Sequence, residues 1–373
     1  MTPAELSRAV LRSVRGAVAD GELSVTVPER VVVRAPTPGE GGGGGGEADL
    51  ACTVALQVAK EAGRPPREVA EPLRRRLAGL PGIAAVEIAG AGFLNVTLTG
   101  TARAELVRDV LAQGREYGCA GEPGTAGQGR GGASVALRAA AGVRAAVVVE
   151  ALERILPAGG MGGAAGTGDE GAARGEAIRP RGVEMRFGQG APQPAGPSPR
   201  GEHPGDVAAH EWRVLTARLG ADEARWVLLR AAQQDAVRLP ERPVQRESNG
   251  RFRVQYAYAR TCAMTRNARE LGFTAEPGDT GDGRAAREVW AAVAEYPGVV
   301  EAAARHRAPD RVARHLEVTA DAWLRCHDGC PPLPVGEEKP SAVHRARLAL
   351  AEAAGTVLAN GLHLLGISTP ERL

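Results

Sequence analysis

Lysine is almost missing from this 373-residue chain: Lys60 and Lys339 are the only two among 46 cationic residues, and the rest are arginine. A GC-rich genome biases a sequence toward Ala, Gly, Arg and Pro in this way. The same bias supplies guanidinium groups, which grip phosphates through two parallel hydrogen bonds. Aromatic residues are scarce at 3%, so aliphatic side chains must fill the core. No apolar run approaches the roughly 18–20 residues needed to cross a bilayer. Near the start, Leu6, Val10, Leu11 and Val14 alternate with arginines at helical spacing, which describes an amphipathic helix and not a signal-peptide core. The cysteines number five, an odd count (Cys52, Cys119, Cys262, Cys326 and Cys330). Reduced thiols in a soluble, cytoplasmic protein are expected. A net charge of +2 argues against indiscriminate nucleic-acid binding and still permits local basic faces.

Glycine and proline are abundant, and they cluster. The run Gly41–Gly46 reads as a flexible loop. It lacks the Lys-Ser/Thr of a phosphate-binding loop and the strand–loop–helix setting that such a loop needs. Residues 1–118 read as one α+β domain. It holds a helix over 1–20, short strands at Val25, Val27, Val31 and Val33, and a helix from about Leu50 to Ala62. A third helix starts at Pro65-Pro66, where a missing N–H costs nothing. Strands Ala85–Ala89 and Phe93–Leu98 follow, joined by Gly90-Ala91-Gly92, and a helix over 102–113 closes the domain. In the second strand Leu94, Val96 and Leu98 point one way, and Phe93, Asn95 and Thr97 the other.

Residues 119–206 read as a linker containing a short α/β remnant, with a strand at Val135 and Leu137 and a helix from Val143 to Leu156. Residues 157–205 are too poor in apolar anchors to build a core, and disorder is expected there. From 207 to 373 the pattern is helical throughout, over 207–219, 221–233, 252–271, 284–295, 298–305, 309–328 and 341–365. Within 309–328, Val312, Leu316, Ala320 and Trp323 recur at three- and four-residue spacing and line one face. An all-α bundle is expected.

The helical region carries recognisable segments. Val254-Gln255-Tyr256-Ala257-Tyr258-Ala259-Arg260, Leu219 through Trp226, Ala346 through Leu350, Val357 through Leu362 and Leu364 through Arg372 resemble, in order and spacing, the anticodon-binding bundle of arginyl-tRNA synthetases. Ala89-Gly90-Ala91-Gly92-Phe93-Leu94-Asn95 resembles a strand of that family's N-terminal domain, which contacts the tRNA elbow, and Asp49 through Leu56 resembles the segment before its second helix. That helix carries Thr53 where the family usually has Asn, and Leu50 where it has an aromatic. The whole is similar to stand-alone, synthetase-related anticodon-binding proteins.

The resemblance implies tRNA as the partner, with arginine isoacceptors foremost, and assigns candidate contacts. Phe93 and Asn95 would stack on and read an unpaired base of the D-loop. Tyr256 or Tyr258 would stack in the anticodon loop; two residues apart on one helix, they point about 200° from each other, so one is expected in the core and one exposed. Arg260, Arg266 and Arg269 on one helix, and Arg345 and Arg347 on another, would meet phosphates, and Asn360 joins the tRNA-facing set. A class I synthetase also needs a His-x-Gly-His segment and a Lys-Met-Ser-Lys-type loop to stabilise charge on ATP. Neither is present: Ala139 through Arg144 contains no histidine, and His203-Pro204-Gly205-Asp206 holds only one. No cofactor is therefore expected. Cys326 and Cys330 with His327 and His315 make a poor zinc site, since a second cysteine pair is lacking. Three functions stay open: a tRNA-binding protein without catalysis, an arginine–tRNA ligase with relocated chemistry, and an assembly protein whose former tRNA surfaces hold another protein.

Overall fold

The structure is a computed structural model that describes residues 1–36, 48–119, 137–139, 142–161, 176–178, 180, 183–184, 204–240, 245–246, 248–281 and 283–373. The glycine run at 41–46 and most of the stretches at 119–133 and 157–205 lie outside them. The chain divides into two compact units. One gathers Met1–Gly114, Thr261–Gly298 and Ala322–Ala354; the other gathers Arg115–Arg260, Val299–Asp321 and Gly355–Leu373. Composition draws contiguous boundaries at 118 and 206, whereas the units interleave along the sequence, because four long C-terminal helices each contribute residues to both.

The first unit begins with helix α1 (Pro3–Ala19), started by a reciprocal cap. Thr2 Oγ1 accepts the Glu5 N–H at 3.2 Å, and the Glu5 carboxylate accepts the Thr2 N–H at 2.7 Å. Strands β1 (Val33–Arg34), β2 (Leu50–Cys52), β3 (Ile83–Ala89) and β4 (Phe93–Leu98) form an antiparallel sheet in the order β1-β2-β4-β3. Helices α2 (Val54–Ala62), α3 (Pro66–Ala78) and α4 (Gly100–Gln113) accompany it. Leu6, Val10, Val14, Leu73, Leu77, Leu94 and Val96 are fully buried and make its core.

The first unit departs from the pattern expected of the sequence at two places. Leu50–Cys52 is a strand and not the first turn of a helix: it pairs with Leu94–Val96, buries all three side chains, and leaves the helix to start at Val54. Of Val25, Val27, Val31 and Val33, only Val33 is in a strand; Val25 and Val31 are buried in irregular chain. A buried valine has no need of a ladder partner if its backbone stays near the surface.

The second unit holds β5 (Leu137–Ala139), α5 (Val143–Ala158) and β6 (Glu176–Ile178), with β5 and β6 parallel. It also holds β7 (Val183–Glu184), parallel to β8 (Val237–Arg238), and helices α6 (Pro204–Leu219) and α7 (Ala221–Arg230). Within 157–205, the described residues thus include the end of α5 and two short strands. The remaining helices are α8 (Gly250–Glu270), α9 (Arg284–His306), α10 (Asp310–Gly329) and α11 (Ala342–Leu364). The sequence predicts a break near Pro297, but α9 runs through it. A proline forfeits one hydrogen bond and crowds the preceding turn; here the buried Trp290, Val293, Tyr296 and Val300 on either side hold the helix together.

Candidate nucleic-acid interface

Phe93 and Asn95 stand at the start of β4, just after the turn Gly90-Ala91-Gly92. That turn needs glycine at 92: φ is +128°, and an added Cβ would lie 2.8 Å from the Cβ of Pro66. Phe93 is half-buried. Asn95 is buried between its cross-strand neighbours Ala51 and Glu87, and its Oδ1 has no hydrogen-bond partner among the described residues. Arg67, at the start of α3, donates to the Gly90 carbonyl at 2.7 Å and brings a cation to the same turn. Sequence reasoning passed over Arg67; its place directly behind Pro65-Pro66 was the available signal.

The first half of α8 carries the aromatics. Tyr256 is 39% exposed and stacks on Phe252, one turn earlier, with ring centroids 6.0 Å apart and planes 18° from parallel. Tyr258 is half-buried, so neither tyrosine is in the core, where one of the pair was expected. Gln255, between them, is buried and acts as a hub. Its Nε2 donates to Asp222 Oδ2 and to the Ser368 carbonyl, both at 2.9 Å. Arg251 donates to Gln255 and to Glu223, the latter at 2.6 Å, and Ser368 Oγ donates to Asp222. These bonds lace the start of α7, the tyrosine-bearing turn of α8 and the C-terminal tail into one surface. Asp222, Glu223, Gln255 and Ser368 lie within the quoted segments, yet nothing in their local pattern marks Ser368 as a partner of residues more than a hundred positions earlier. Arg260 is half-buried, and Asn360 Nδ2 donates to the Tyr117 carbonyl at 3.1 Å.

Arg266 and Arg269 are in the second half of α8, half-buried and exposed respectively. Nearby, Thr265 Oγ1 donates to Glu352 at 3.0 Å, and burial lifts the Glu352 carboxyl above its ordinary range against the pull of Thr265 and Arg269. On α11, Arg347 donates from Nε to the Thr280 carbonyl at 3.1 Å and from Nη1 to the Pro331 carbonyl at 3.4 Å. Arg345 donates to Thr274 O and Glu276 and lies over the Phe273 ring. Both therefore fasten loops, which leaves Arg269 as the more available cation for a phosphate. Cys326 and Cys330 are buried; burial and the neighbouring thiol push the Cys326 thiol up to about 12, so it stays protonated. No group of three or more His, Cys, Asp or Glu is arranged to hold a metal among the described residues, and no described helix is long and apolar enough to cross a membrane.

Residues 254–373 match the DALR anticodon binding domain, and residues 17–98 match the Arginyl tRNA synthetase N terminal domain. The chain is 30% identical to an arginine–tRNA ligase of Frankia alni, with all of both chains covered. That alignment runs over 566 positions, about 190 more than the 373 residues present here. It is 41% identical over 167 residues to an arginine–tRNA ligase of Paenarthrobacter aurescens, covering 44% of this chain and 30% of the other. The arginyl-tRNA synthetase of Thermus thermophilus superposes with a TM-score of 0.63 at 16% identity over all of both chains, a likeness of fold. Matched at both ends and aligned throughout, the chain belongs to the arginyl-tRNA synthetase family.

Proposed function

We propose that this chain is a tRNA-binding member of its family, holding an arginine isoacceptor by elbow and anticodon loop without forming an adenylate. The observation that carries the reading is the retention of both matched segments, 17–98 and 254–373, with Tyr256 of the second exposed and stacked on Phe252 just before it. Unpaired bases are recognised by stacking on aromatic faces, while arginines and backbone groups on phosphates fix register.

The region between the segments supports the non-catalytic half of the reading. In a strand–helix–strand unit such as β5–α5–β6, a nucleotide phosphate would rest on the helix N-terminus. In this chain the Val143 N–H donates at 2.7 Å to the Glu211 carboxylate, so an anion of the protein's own stands there. Arg144, the next residue, is turned inward onto backbone carbonyls. The sequence supplies neither His-x-Gly-His nor Lys-Met-Ser-Lys. The alignment along the whole Frankia ligase favours a second reading, an active arginine–tRNA ligase.

Arginine-dependent ATP–pyrophosphate exchange separates the two. We expect no exchange above a heat-killed control, with and without tRNA; clear turnover by protein free of host synthetase establishes the ligase. A tRNA shift assay over a salt series tests the shared part. Phe93→Ala and Tyr256→Ala should each remove stacking worth about 1–3 kcal/mol. Arg269→Ala should weaken every tRNA alike and lower the salt slope by about one. Equal retention of arginine and non-arginine tRNAs, unchanged in both aromatic variants, would sink base recognition and favour a protein-assembly role.

A further inference from the structure

Within the first unit, α4, the loop over 278–281, α9 and α11 enclose an open cleft of about 400 Å³, solvent space at its mouth included. Two guanidinium groups line it, Arg103 from α4 and Arg287 from α9. Arg103 is committed: its Nη1 pairs with Asp49 at 3.2 Å and also donates to the Leu98 carbonyl, and Trp290 Nε1 fixes its backbone through a 3.2 Å bond to the Arg103 carbonyl. Arg287 is not. Its Nε is buried with no acceptor among the described residues. A buried N–H of a cation without an acceptor is costly, and a native structure that keeps one calls for an explanation.

The rest of the cleft shows what kind of acceptor fits. Gly278, Gly281 and Gly100 line it, so a ligand can approach backbone without meeting a Cβ. The Asp279 carboxylate accepts the Gly281 N–H at 3.0 Å, and its Cγ is 3.9 Å from where a Cβ of Gly100 would be. It thus stands at the first residue of α4, where the helix dipole favours an anion. The loop itself is tied down by Arg347, bonded to the Thr280 carbonyl. An oxyanion that takes the Arg287 donors would meet the Asp279 charge across the cleft.

The geometry points to this cleft as a phosphoryl-binding site, with Arg287 as the principal ligand, Arg103 as a supporting charge and Asp279 as a competing internal anion. A guanidinium is the group that meets phosphate oxygens with two aligned donors. The phosphoryl group has two sources, a free phosphate or a phosphate of an RNA backbone. The site stands apart from the tRNA reading above, because phosphate binding is measured without RNA.

The test uses the full chain and inorganic phosphate, titrated calorimetrically at constant ionic strength against chloride. Wild type should show saturable, single-site binding. Arg287→Gln should weaken it about tenfold or more, the loss of one charge-assisted contact. Asp279→Asn should tighten it by about threefold, since the competing charge is gone. A general surface effect would not produce opposite signs. Circular dichroism checks each fold, and if Arg287→Gln does not fold, Arg287→Lys and Asp279→Asn still decide. In a second arm, phosphate is titrated against a preformed tRNA complex. Competition that disappears in Arg287→Gln assigns the RNA backbone as source; tRNA affinity indifferent to phosphate and to the variant assigns free phosphate. Absence of saturable phosphate binding in wild type, or an Asp279→Asn variant that binds no tighter, overturns the site.

Discussion

Replacing Arg144 with alanine should cost the fold about 3–5 kcal/mol, the range found when one partner of a buried charged network is removed. Arg144 is 2% exposed, and the charges of Asp235 and Asp310 act on it. Its guanidinium meets four backbone carbonyls around the end of α7. Nε donates to Leu228 at 3.3 Å, Nη1 to Asp235 at 2.7 Å, and Nη2 to Ala231 and Ala232 at 3.0 and 2.8 Å. The last carbonyls of a helix lack intrahelical donors and carry the negative end of its dipole, so a cation there satisfies both needs. Burial draws the guanidinium pKa down, and the charges of Asp235 and Asp310 oppose that; the group remains charged in any ordinary buffer. Lysine cannot serve four acceptors from one point charge, so Arg144→Lys should recover little. Urea unfolding followed by circular dichroism measures both variants. A loss under about 1 kcal/mol in Arg144→Ala, the size of an ordinary exposed change, would mean that water replaces the guanidinium.

That arginine also marks where sequence reading stops. Long helices and the β3–β4 hairpin are legible because their apolar positions recur at fixed spacing: Val312, Leu316, Ala320 and Trp323 line α10, and Leu94, Val96 and Leu98 are all buried. Features decided by partners distant in sequence were not legible. Leu50–Cys52 has no alternation of its own and becomes a strand only beside Leu94–Val96. Arg347 looks like any surface arginine until Thr280 and Pro331 are placed beside it. Nothing within Ala139 through Arg144 tells a solvated arginine from one that caps a helix 84 residues downstream.

Asp49→Ala should be comparably damaging, at about 3–5 kcal/mol, because it strands a charge and a backbone donor together. The Asp49 side chain is 0% exposed. Its N–H donates to the Val96 carbonyl at 3.0 Å and its Oδ2 accepts the Leu98 N–H at 2.7 Å, so one residue fastens β2 to the end of β4. The pair with Arg103 then joins that strand end to α4. Asp49→Asn keeps the volume and an acceptor for Leu98 and should cost less, about 1–3 kcal/mol for the weakened bonds to a charged partner. The pH dependence separates burial from pairing. Burial is the largest influence on this carboxyl and raises its pKa above the ordinary value, against Leu98, Arg103 and Arg287. A carboxyl whose folded pKa is raised binds its proton more tightly when folded. Its contribution is therefore fullest in acid and declines as pH climbs through the folded pKa. Asparagine does not titrate, so the stability gap between wild type and Asp49→Asn should narrow between about pH 4 and pH 7, starting from the ordinary carboxyl value. A gap that widens over the same interval would put the Arg103 pair in control, with the folded pKa lowered and burial the smaller influence.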